Sequence, residues 1–252
     1  LSSFDHRARG STVDRPIAGD TGQRQRQRTL QAELLYNGRL GRRAAHALDV
    51  GMQVRRDETE AERVAGGLRQ LTMVEPFAQL ELAAAPGLAL LPGVRVTHSA
   101  LWGTRVTPRV ALRQRVGSGV TLRASVGAGF RAPDFKELYM RFVNTSAGYA
   151  VNGNPDLRPE SSRNVTGGVE WAGARGFLRT QLYWNALRGF IETRAITAPG
   201  EPAVYVYANV DDGMTRGADV EGGATLGRLR LEGSVSALGT RDDATGRPLL
   251  GR

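Results

Sequence analysis

The feature of this sequence that most constrains its fold is a period of two in hydrophobicity. Between Val120 and Gly129 every second residue is apolar, and the residues between them are polar or glycine. Successive side chains of an extended strand point to opposite faces, so this pattern predicts a strand with one apolar and one polar face. The pattern recurs in about ten segments, among them Leu48–Arg55, Val165–Trp171, Asp219–Leu226 and Leu229–Ala237. It predicts an all-β protein without a long amphipathic helix.

The connections between the predicted strands alternate between short and long. Short turns are expected at residues 40–43, 85–87, 117–119, 172–176 and 227–228. Long connections are expected at roughly Asp57–Gln70, Ser99–Gly103, Arg131–Ser162 and Arg194–Pro202. Tight turns at one end and long loops at the other are typical of outer-membrane barrels. We therefore predict a transmembrane antiparallel β-barrel whose neighbouring strands follow chain order.

Alternation alone does not separate a membrane barrel from a soluble β-sandwich, since both have one apolar and one polar face. Segment length favours the barrel, because Val204–Leu226 is predicted to be one extended segment with a bulge at Gly213, whereas soluble strands average about five or six residues. No apolar run is long enough for a transmembrane helix. A passive porin or adhesin barrel and a soluble β-sandwich binding module remain the alternatives.

The amino-acid composition limits the kinds of partner and site that are expected for this chain. The net charge is +9, almost all of it from arginine, and Lys136 is the single lysine. The arginines are spread along the chain without interleaved aromatic residues, so a nucleic-acid partner is not expected. Cysteine is absent, and His6, His46 and His98 are far apart, so no metal site is expected. The sequence contains no G-x-S-x-G motif, and we expect neither a cofactor nor an enzyme.

Two linked motifs lie in the middle of the chain. They read GFRAPDFKELY at Gly129–Tyr139 and GNPDLRPESSRN at Gly153–Asn164. In this order and spacing they resemble the paired motifs of TonB-dependent receptors. The flanking segments Thr107–Val116, Leu182–Arg194, Tyr207–Glu221 and Thr245–Arg252 also resemble those receptors. The resemblance implies the C-terminal half of the family's barrel, which closes with about 22 strands.

The same resemblance implies the organisation of the protein. Residues 1–252 are expected to form one domain, a barrel segment that is incomplete at both ends. The family's N-terminal plug and TonB-binding box and its last strands are expected to lie outside this sequence. By resemblance, the protein is an outer-membrane receptor that transports a scarce, bulky solute: a ferric siderophore, haem, cobalamin or a glycan. Its expected partners are outer-membrane lipid, lipopolysaccharide, the solute and, through the missing N-terminal part, the TonB complex.

The two motifs and the loop between them are expected to have two roles. Proline fixes the backbone and Gly-Asn-Pro begins a turn, so most of the motif is expected to shape an ordered outer loop. This structural set is Gly129, Phe130, Arg131, Pro133, Glu137, Leu138, Tyr139, Gly153, Asn154, Pro155, Leu157, Pro159 and Glu160. The residues expected to contact solute are Arg131, Arg141, Asn144 and Tyr149.

Three further expectations concern local structure. Lys136–Arg141 is expected to make a short helical turn that Asp134 caps. Asn185 and Asn209 are expected to stabilise strand pairing or hydrogen-bond networks in the lumen. Trp171 and Trp184 are expected to belong to the aromatic girdles at the membrane surfaces.

Overall fold

A computed structural model describes residues 2–10, 23–41, 45–197, 201–210, 212–243 and 245–248. Side chains are described from residue 25 onward within these ranges. The strands are β1 (Ser2–Gly10), β2 (Gln23–Leu40), β3 (His46–Ala61), β4 (Leu68–Ala85), β5 (Leu88–Ser99), β6 (Gly103–Val116), β7 (Val120–Arg131), β8 (Arg141–Asn144), β9 (Tyr149–Asn152), β10 (Glu160–Gly173), β11 (Gly176–Arg188), β12 (Ile191–Ala195), β13 (Ala203–Asn209), β14 (Gly213–Leu226) and β15 (Leu229–Asp242). One helix, α1, spans Phe135–Tyr139.

Eleven of these strands form one large antiparallel sheet, which we call the wall. Their order is β1–β2–β3–β4–β5–β6–β7–β10–β11–β14–β15, so every neighbour in space is the next wall strand along the chain. Short turns close one end, as at 117–119 and 227–228. The long connections 132–159 and 189–212 leave from the other end. The predicted up-and-down topology is confirmed, and the wall stays an open sheet instead of closing into a ring.

The two long connections share a second, four-stranded sheet at the outer end of the wall. Its order is β12–β13–β9–β8, with β8–β9 from the first connection and β12–β13 from the second. The two halves join through β13 and β9, which run parallel. Parallel pairing is available here because the two segments come from separate connections and need no tight turn between them.

Two boundaries predicted from the sequence are wrong. Val204–Leu226 is not one strand, because β13 pairs with β12 and β9 whereas β14 pairs with β11 and β15. The chain leaves the outer sheet after Asn209, where the amide of Val210 bonds to the carbonyl of Phe190, and enters the wall at Gly213. The loop expected at Asp57–Gln70 is also shorter, since β3 and β4 remain paired as far as Glu60 and Leu68.

The cross-strand register sorts the wall into the two predicted faces. Val110, Val126, Val165 and Trp184 lie in one row across β6, β7, β10 and β11. Three of these side chains are 46–53% exposed and Trp184 is 42% exposed. The face that carries this row is the outward face. The opposite face is the inner face. Arg123 of β7 lies on it, because it is an odd number of residues from Val126 in the outward row.

The apolar core lies in the outer loops and not between layers of the wall. Leu138, Leu157 and Ile191 are at most 4% exposed and pack together. Trp102, Tyr139 and Tyr207 pack against them. The wall itself is a single sheet, so the two-layered sandwich considered above is wrong. Many valine and leucine side chains of the wall are exposed and therefore require another apolar environment.

Candidate functional site

The outer loop layer comprises residues 132–159 and 189–212 together with the β3–β4 tip, residues 62–67. Near the start of residues 132–159 lies α1, and a capping box closes its first turn. The Asp134 carboxylate accepts a hydrogen bond from the Glu137 amide at 2.7 Å, and the Glu137 carboxylate accepts one from the Asp134 amide at 2.8 Å. These bonds satisfy amides that the helix leaves without partners. The predicted turn and its cap are therefore present, although Arg141 lies beyond the helix in β8.

A charged network fixes this helix to the wall. Arg131, the last residue of β7, donates two hydrogen bonds of 3.0 Å to Glu137 and one of 2.6 Å to Glu160. Glu160 also accepts the amide of Ile191 at 2.9 Å, so one carboxylate joins both long connections. The hydrogen bond to Glu160 raises the pKa of Arg131 above its ordinary value, against the opposing effect of burial. The guanidinium therefore stays charged and engaged in this network.

The second motif packs back onto the first through a tight turn. The Gly153 amide bonds to the Met140 carbonyl, and the Asn154 amide bonds to the Glu137 carbonyl at 2.8 Å. A Cβ on Gly153 would lie 2.5 Å from the backbone nitrogens of Tyr139 and Met140, so only glycine fits. The Asn154 side chain accepts the amide of Asp156, which closes an Asx turn. The turn delivers Leu157 to the core.

The remaining motif residues occupy the surroundings of this core. Gly129 faces Ser162 of β10, whose hydroxyl would lie 2.8 Å from a Cβ at that position. Pro133 is buried and, with Leu138, Thr59 and Met73, lines a cavity between the first long connection and the wall. Phe130, Pro155 and Pro159 range from half-buried to exposed.

The β3–β4 tip reaches across the outer end of the wall to this connection. Val64 forms an antiparallel bridge with Met140. The Ala65 amide donates to the Tyr139 carbonyl at 2.7 Å, and the Arg141 amide donates to the Arg63 carbonyl at 2.6 Å. Two wall strands, β5 and β6, lie between β4 and β7. The contact therefore bridges the outer ends of β4 and β7 on the side of the inner face, and we call it the tip clamp.

Two cation–π contacts reinforce the tip clamp. The Arg63 guanidinium lies 4.1 Å from the centre of the Phe142 ring, and that of Arg69 lies 4.3 Å from the centre of the Tyr139 ring. Such contacts contribute about 0.5–1 kcal/mol each at exposed sites. Sequence reasoning missed both arginines because their partners are more than 60 residues away along the chain, and no local pattern marks them.

Three of the four residues expected to contact solute lie together on the β8–β9 hairpin. Arg141 is paired with Asn152, and Asn144 is paired with Tyr149. The Asn144 side chain accepts the Ala147 amide at 3.0 Å and so holds the hairpin turn. Arg131 lies apart from this group and is engaged with Glu137 and Glu160.

The hairpin presents Arg141 and Tyr149 on opposite faces, because side chains alternate along a strand and Arg141 is three residues from Asn144, the partner of Tyr149. Tyr149 makes edge-on contacts with Phe142 and Tyr205, with ring centres 5.7 and 6.4 Å apart. Arg141 is exposed and lines a shallow cavity with Arg69. Tyr149 therefore lies on the hairpin face that carries Phe142, and Arg141 lies on the face beside Arg69.

The inner face of the wall is polar and internally paired. Arg123 bonds to Glu170 at 2.9 Å, and Arg179 bonds to Glu221 at 3.3 Å. These side chains line a concave cavity of about 770 Å³ on β6, β7, β10, β11 and β14. Asn185, which also lines it, donates to the Thr215 hydroxyl at 3.0 Å, as expected for a lumen network. The face is therefore wettable, in contrast to the outward face.

Asn209 performs a bridging role at the edge of the loop layer. Its side chain accepts the Arg158 amide and donates to the carbonyls of Arg158 and Gly189, each at 2.8 Å. It thus ties the end of the second motif to the start of the second long connection. The sequence predicted a role in strand pairing or in a lumen network, and the structure places Asn209 between two outer loops instead.

No group of three or more His, Asp or Glu side chains in the described ranges is arranged to hold a metal ion. Among the same residues, no helix has the length and hydropathy needed to cross a bilayer.

An antiparallel wall with one apolar face, one polar face and loops gathered at one end defines the wall of an outer-membrane-type barrel. Comparison with known proteins makes the assignment specific. The family model described as "TonB dependent receptor-like, beta-barrel" matches residues 2–251. The chain belongs to the TonB-dependent receptor family. No curated protein matches the sequence.

Solved structures share this fold at low sequence identity. The siderophore receptor PirA from Pseudomonas aeruginosa superposes with a TM-score of 0.78 at 17% identity, over 88% of this chain and 44% of PirA. A mutant of the ferric enterobactin receptor PfeA from the same organism gives 0.71 at 20% identity, over 89% and 37%. The copper transporter OprC gives 0.75 at 18% identity, over 98% and 43%. The chain thus spans less than half the length of these relatives.

Proposed function

We propose that the intact protein is an outer-membrane active-transport receptor, energised through TonB, in which this chain supplies part of the barrel wall and its outer loops. The observation that carries the proposal is the tip clamp, which joins two outer loops above a polar inner face. A passive porin needs an unobstructed path, whereas a receptor needs loops that hold solute and then release it. Membership of the family supports the same conclusion.

The solute class that the loop layer favours is an anionic metal chelate with aromatic parts. Arg141 and Arg69 line one surface of the layer, and Tyr149 with Phe142 lines another. Guanidinium groups offer paired donors to carboxylates and similar oxygen anions, and aromatic rings stack on planar ligand groups. Ferric siderophores combine these properties, so we propose them ahead of haem, cobalamin and glycans. The siderophore receptors among the similar structures support this choice.

The test of the function is uptake by cells that carry the intact gene. Iron-starved cells should accumulate radiolabelled iron from at least one ferric siderophore, and deletion of the gene should abolish that accumulation. Dissipating the proton-motive force should stop uptake without stopping solute binding, because energy enters through TonB. Uptake that continues without a proton-motive force would instead identify a passive porin.

The test of the loop residues uses single variants, because Arg141 and Tyr149 face opposite ways. Arg141→Ala or Tyr149→Ala should weaken solute binding about tenfold, the effect of losing one charge-assisted or aromatic contact of about 1.4 kcal/mol. Arg158→Ala provides a control, since that side chain is exposed and the Arg158 bonds to Asn209 use only its backbone. Unchanged affinity in both single variants would leave the hairpin a purely structural element.

A further inference from the structure

Four arginines lie on the outward face of the wall, near the outer ends of its last strands. They are Arg163 of β10, Arg188 of β11, Arg216 of β14 and Arg241 of β15, and all four are exposed. Arg216 is paired directly with Trp184, which fixes its face. The other three lie an even number of residues from that row and share the same face. A strongly basic patch therefore adjoins the apolar surface.

The register brings these arginines into two close pairs. Arg163 and Arg188 are diagonal neighbours across β10 and β11, and Arg216 and Arg241 are diagonal neighbours across β14 and β15. Diagonal neighbours on one face are about 7–8 Å apart. Arg163 and Arg241 lie in one cross-strand row, three strand spacings or about 14 Å apart. The patch thus offers two guanidinium pairs at a defined separation.

Acidic side chains do not balance this patch. Arg188 has one carboxylate partner, Asp212, at 3.6 Å, and both side chains are more than half exposed. Within the described part of the chain, no side-chain hydrogen bond or ion pair engages Arg163, Arg216 or Arg241. Like charges at this spacing repel one another, so an isolated patch of this kind destabilises the fold.

The other end of the wall shows the contrasting arrangement. On the same outward face, Arg28 of β2 is paired with Glu58 of β3, and Arg26 is paired with Glu60. Arg56 also donates to Glu58 at 2.9 Å. Among the side chains that the structure describes there, three arginines have two glutamates. Positive charge is therefore less balanced at β10–β15 than among the described side chains of β2 and β3.

We propose that Arg163, Arg188, Arg216 and Arg241 bind the phosphate groups of a bisphosphorylated glycolipid in the outer leaflet. The inference rests on the proposed function, since it requires that the outward face meets lipid. Phosphate matches the paired donors of guanidinium and relieves the repulsion among the arginines. Trp184, directly beside Arg216, occupies a position suited to the membrane surface, where such headgroups lie. Two guanidinium pairs fit a headgroup with a phosphate at each end of a disaccharide.

The experiment compares two triple variants of the intact protein that remove equal charge from the same face. Arg163→Gln with Arg216→Gln and Arg241→Gln removes the three patch arginines that have no carboxylate partner among the described residues. Arg26→Gln with Arg28→Gln and Arg56→Gln is the matched control. The probe is bisphosphorylated lipid A, added to detergent-purified protein and measured by native mass spectrometry. Retention of lipid A should fall at least about tenfold in the first variant, because each arginine near an anionic surface contributes measurably. The control should retain lipid A like the unaltered protein.

Two further arms identify what the patch recognises. Dephosphorylated lipid A should bind all three proteins equally weakly, and inorganic phosphate should not displace lipid A at matched concentration. Equal retention by the two triple variants would overturn the proposal, and so would displacement by inorganic phosphate, which would reduce the patch to a free-phosphate site. Failure of the unaltered protein to assemble in membranes would count against the proposed function, whereas an assembled barrel with unchanged retention counts against the patch alone.

Discussion

At the scale of single residues, the loop layer depends on groups that make several contacts at once. Glu160 is 7% exposed and joins Arg131 of the wall to the Ile191 amide of the second long connection. Gly153 permits the two motif segments to pack backbone against backbone. In both cases a small change removes an interaction that neighbouring side chains cannot replace.

Replacing the carboxylate of Glu160 by an amide tests the charged network. Glu160→Gln should destabilise the loop layer by about 1–3 kcal/mol, because a partly buried guanidinium loses a charged acceptor. The measurement is the rate at which trypsin cleaves folded protein after Lys136 and Arg141. Glu221→Gln is the control, since its ion pair with Arg179 is half-exposed and is worth about 0–1 kcal/mol. Equal cleavage rates in the two variants would contradict the bracing role.

Adding a methyl group tests the turn at Gly153. Gly153→Ala should destabilise the loop layer by about 1–3 kcal/mol, the usual range for overpacking, because the clash is with backbone atoms and not with a mobile side chain. Gly167→Ala on β10 is the matched control, since nothing lies within 4 Å of a Cβ there. Hydrogen exchange of the α1 amides reports the difference. Equal hydrogen-exchange rates in the two variants would show that the turn can accommodate a methyl group at Gly153.

At the scale of elements, each wall strand has to satisfy two different environments. On β7, Leu122 is 39% exposed on the outward face, and Arg123 is bonded to Glu170 on the inner face. The period of two assigns both residues correctly because one strand residue always faces away from the next. Away from its outer rim, the wall therefore carries its charged side chains on the inner face and apolar side chains on the outward face.

Adjacent substitutions on β7 test this assignment. In the intact protein, Leu122→Arg should reduce barrel assembly, because a lipid-facing arginine near the midplane costs about 2–4 kcal/mol. Arg123→Leu should assemble normally, since its loss leaves Glu170 in a wettable inner face. The fraction of heat-modifiable protein in outer-membrane extracts gives the comparison. Equal assembly of the two variants would contradict the orientation of the faces.

At the scale of the whole molecule, the tip clamp connects parts of the wall that are not neighbours. The β3–β4 tip and the connection after β7 meet above two intervening strands. The contact has two backbone hydrogen bonds and two cation–π pairs. The residues that make these contacts are mostly half-buried, and so few interactions are weak enough to break and reform. We therefore predict that the clamp opens and closes during the transport proposed above.

A disulfide across the clamp tests whether it opens during uptake. Val64→Cys with Met140→Cys should form a disulfide, because directly paired residues of antiparallel strands have the required separation. The sequence contains no other cysteine. Oxidation should lower solute uptake several-fold, and a reductant should restore it, while barrel assembly stays unchanged. The single variant Val64→Cys is the control. Full uptake by the oxidised protein would show that the clamp stays closed throughout transport.

The sequence by itself determined the wall and its family. Strand faces, chain-order topology and the alternation of turn lengths follow from local periodicity, since each strand pairs with the next along the chain. The capped turn at α1 also follows from local chemistry, because Asp134 and Glu137 are close in sequence.

Only the tertiary structure decided how the outer loops are organised. The pairing of β9 with β13, the tip clamp and the bridging roles of Glu160 and Asn209 join segments far apart in sequence. The tertiary structure also shows that β13 and β14 are separate strands, although the sequence predicted one. An extended segment has the same local pattern in either sheet, so the sequence does not show where one sheet ends and the other begins. Arg141 and Tyr149 were both expected to contact solute, and their hairpin register sets them on opposite faces. Such non-local pairings have no periodic signal, because they depend on which loops meet in space.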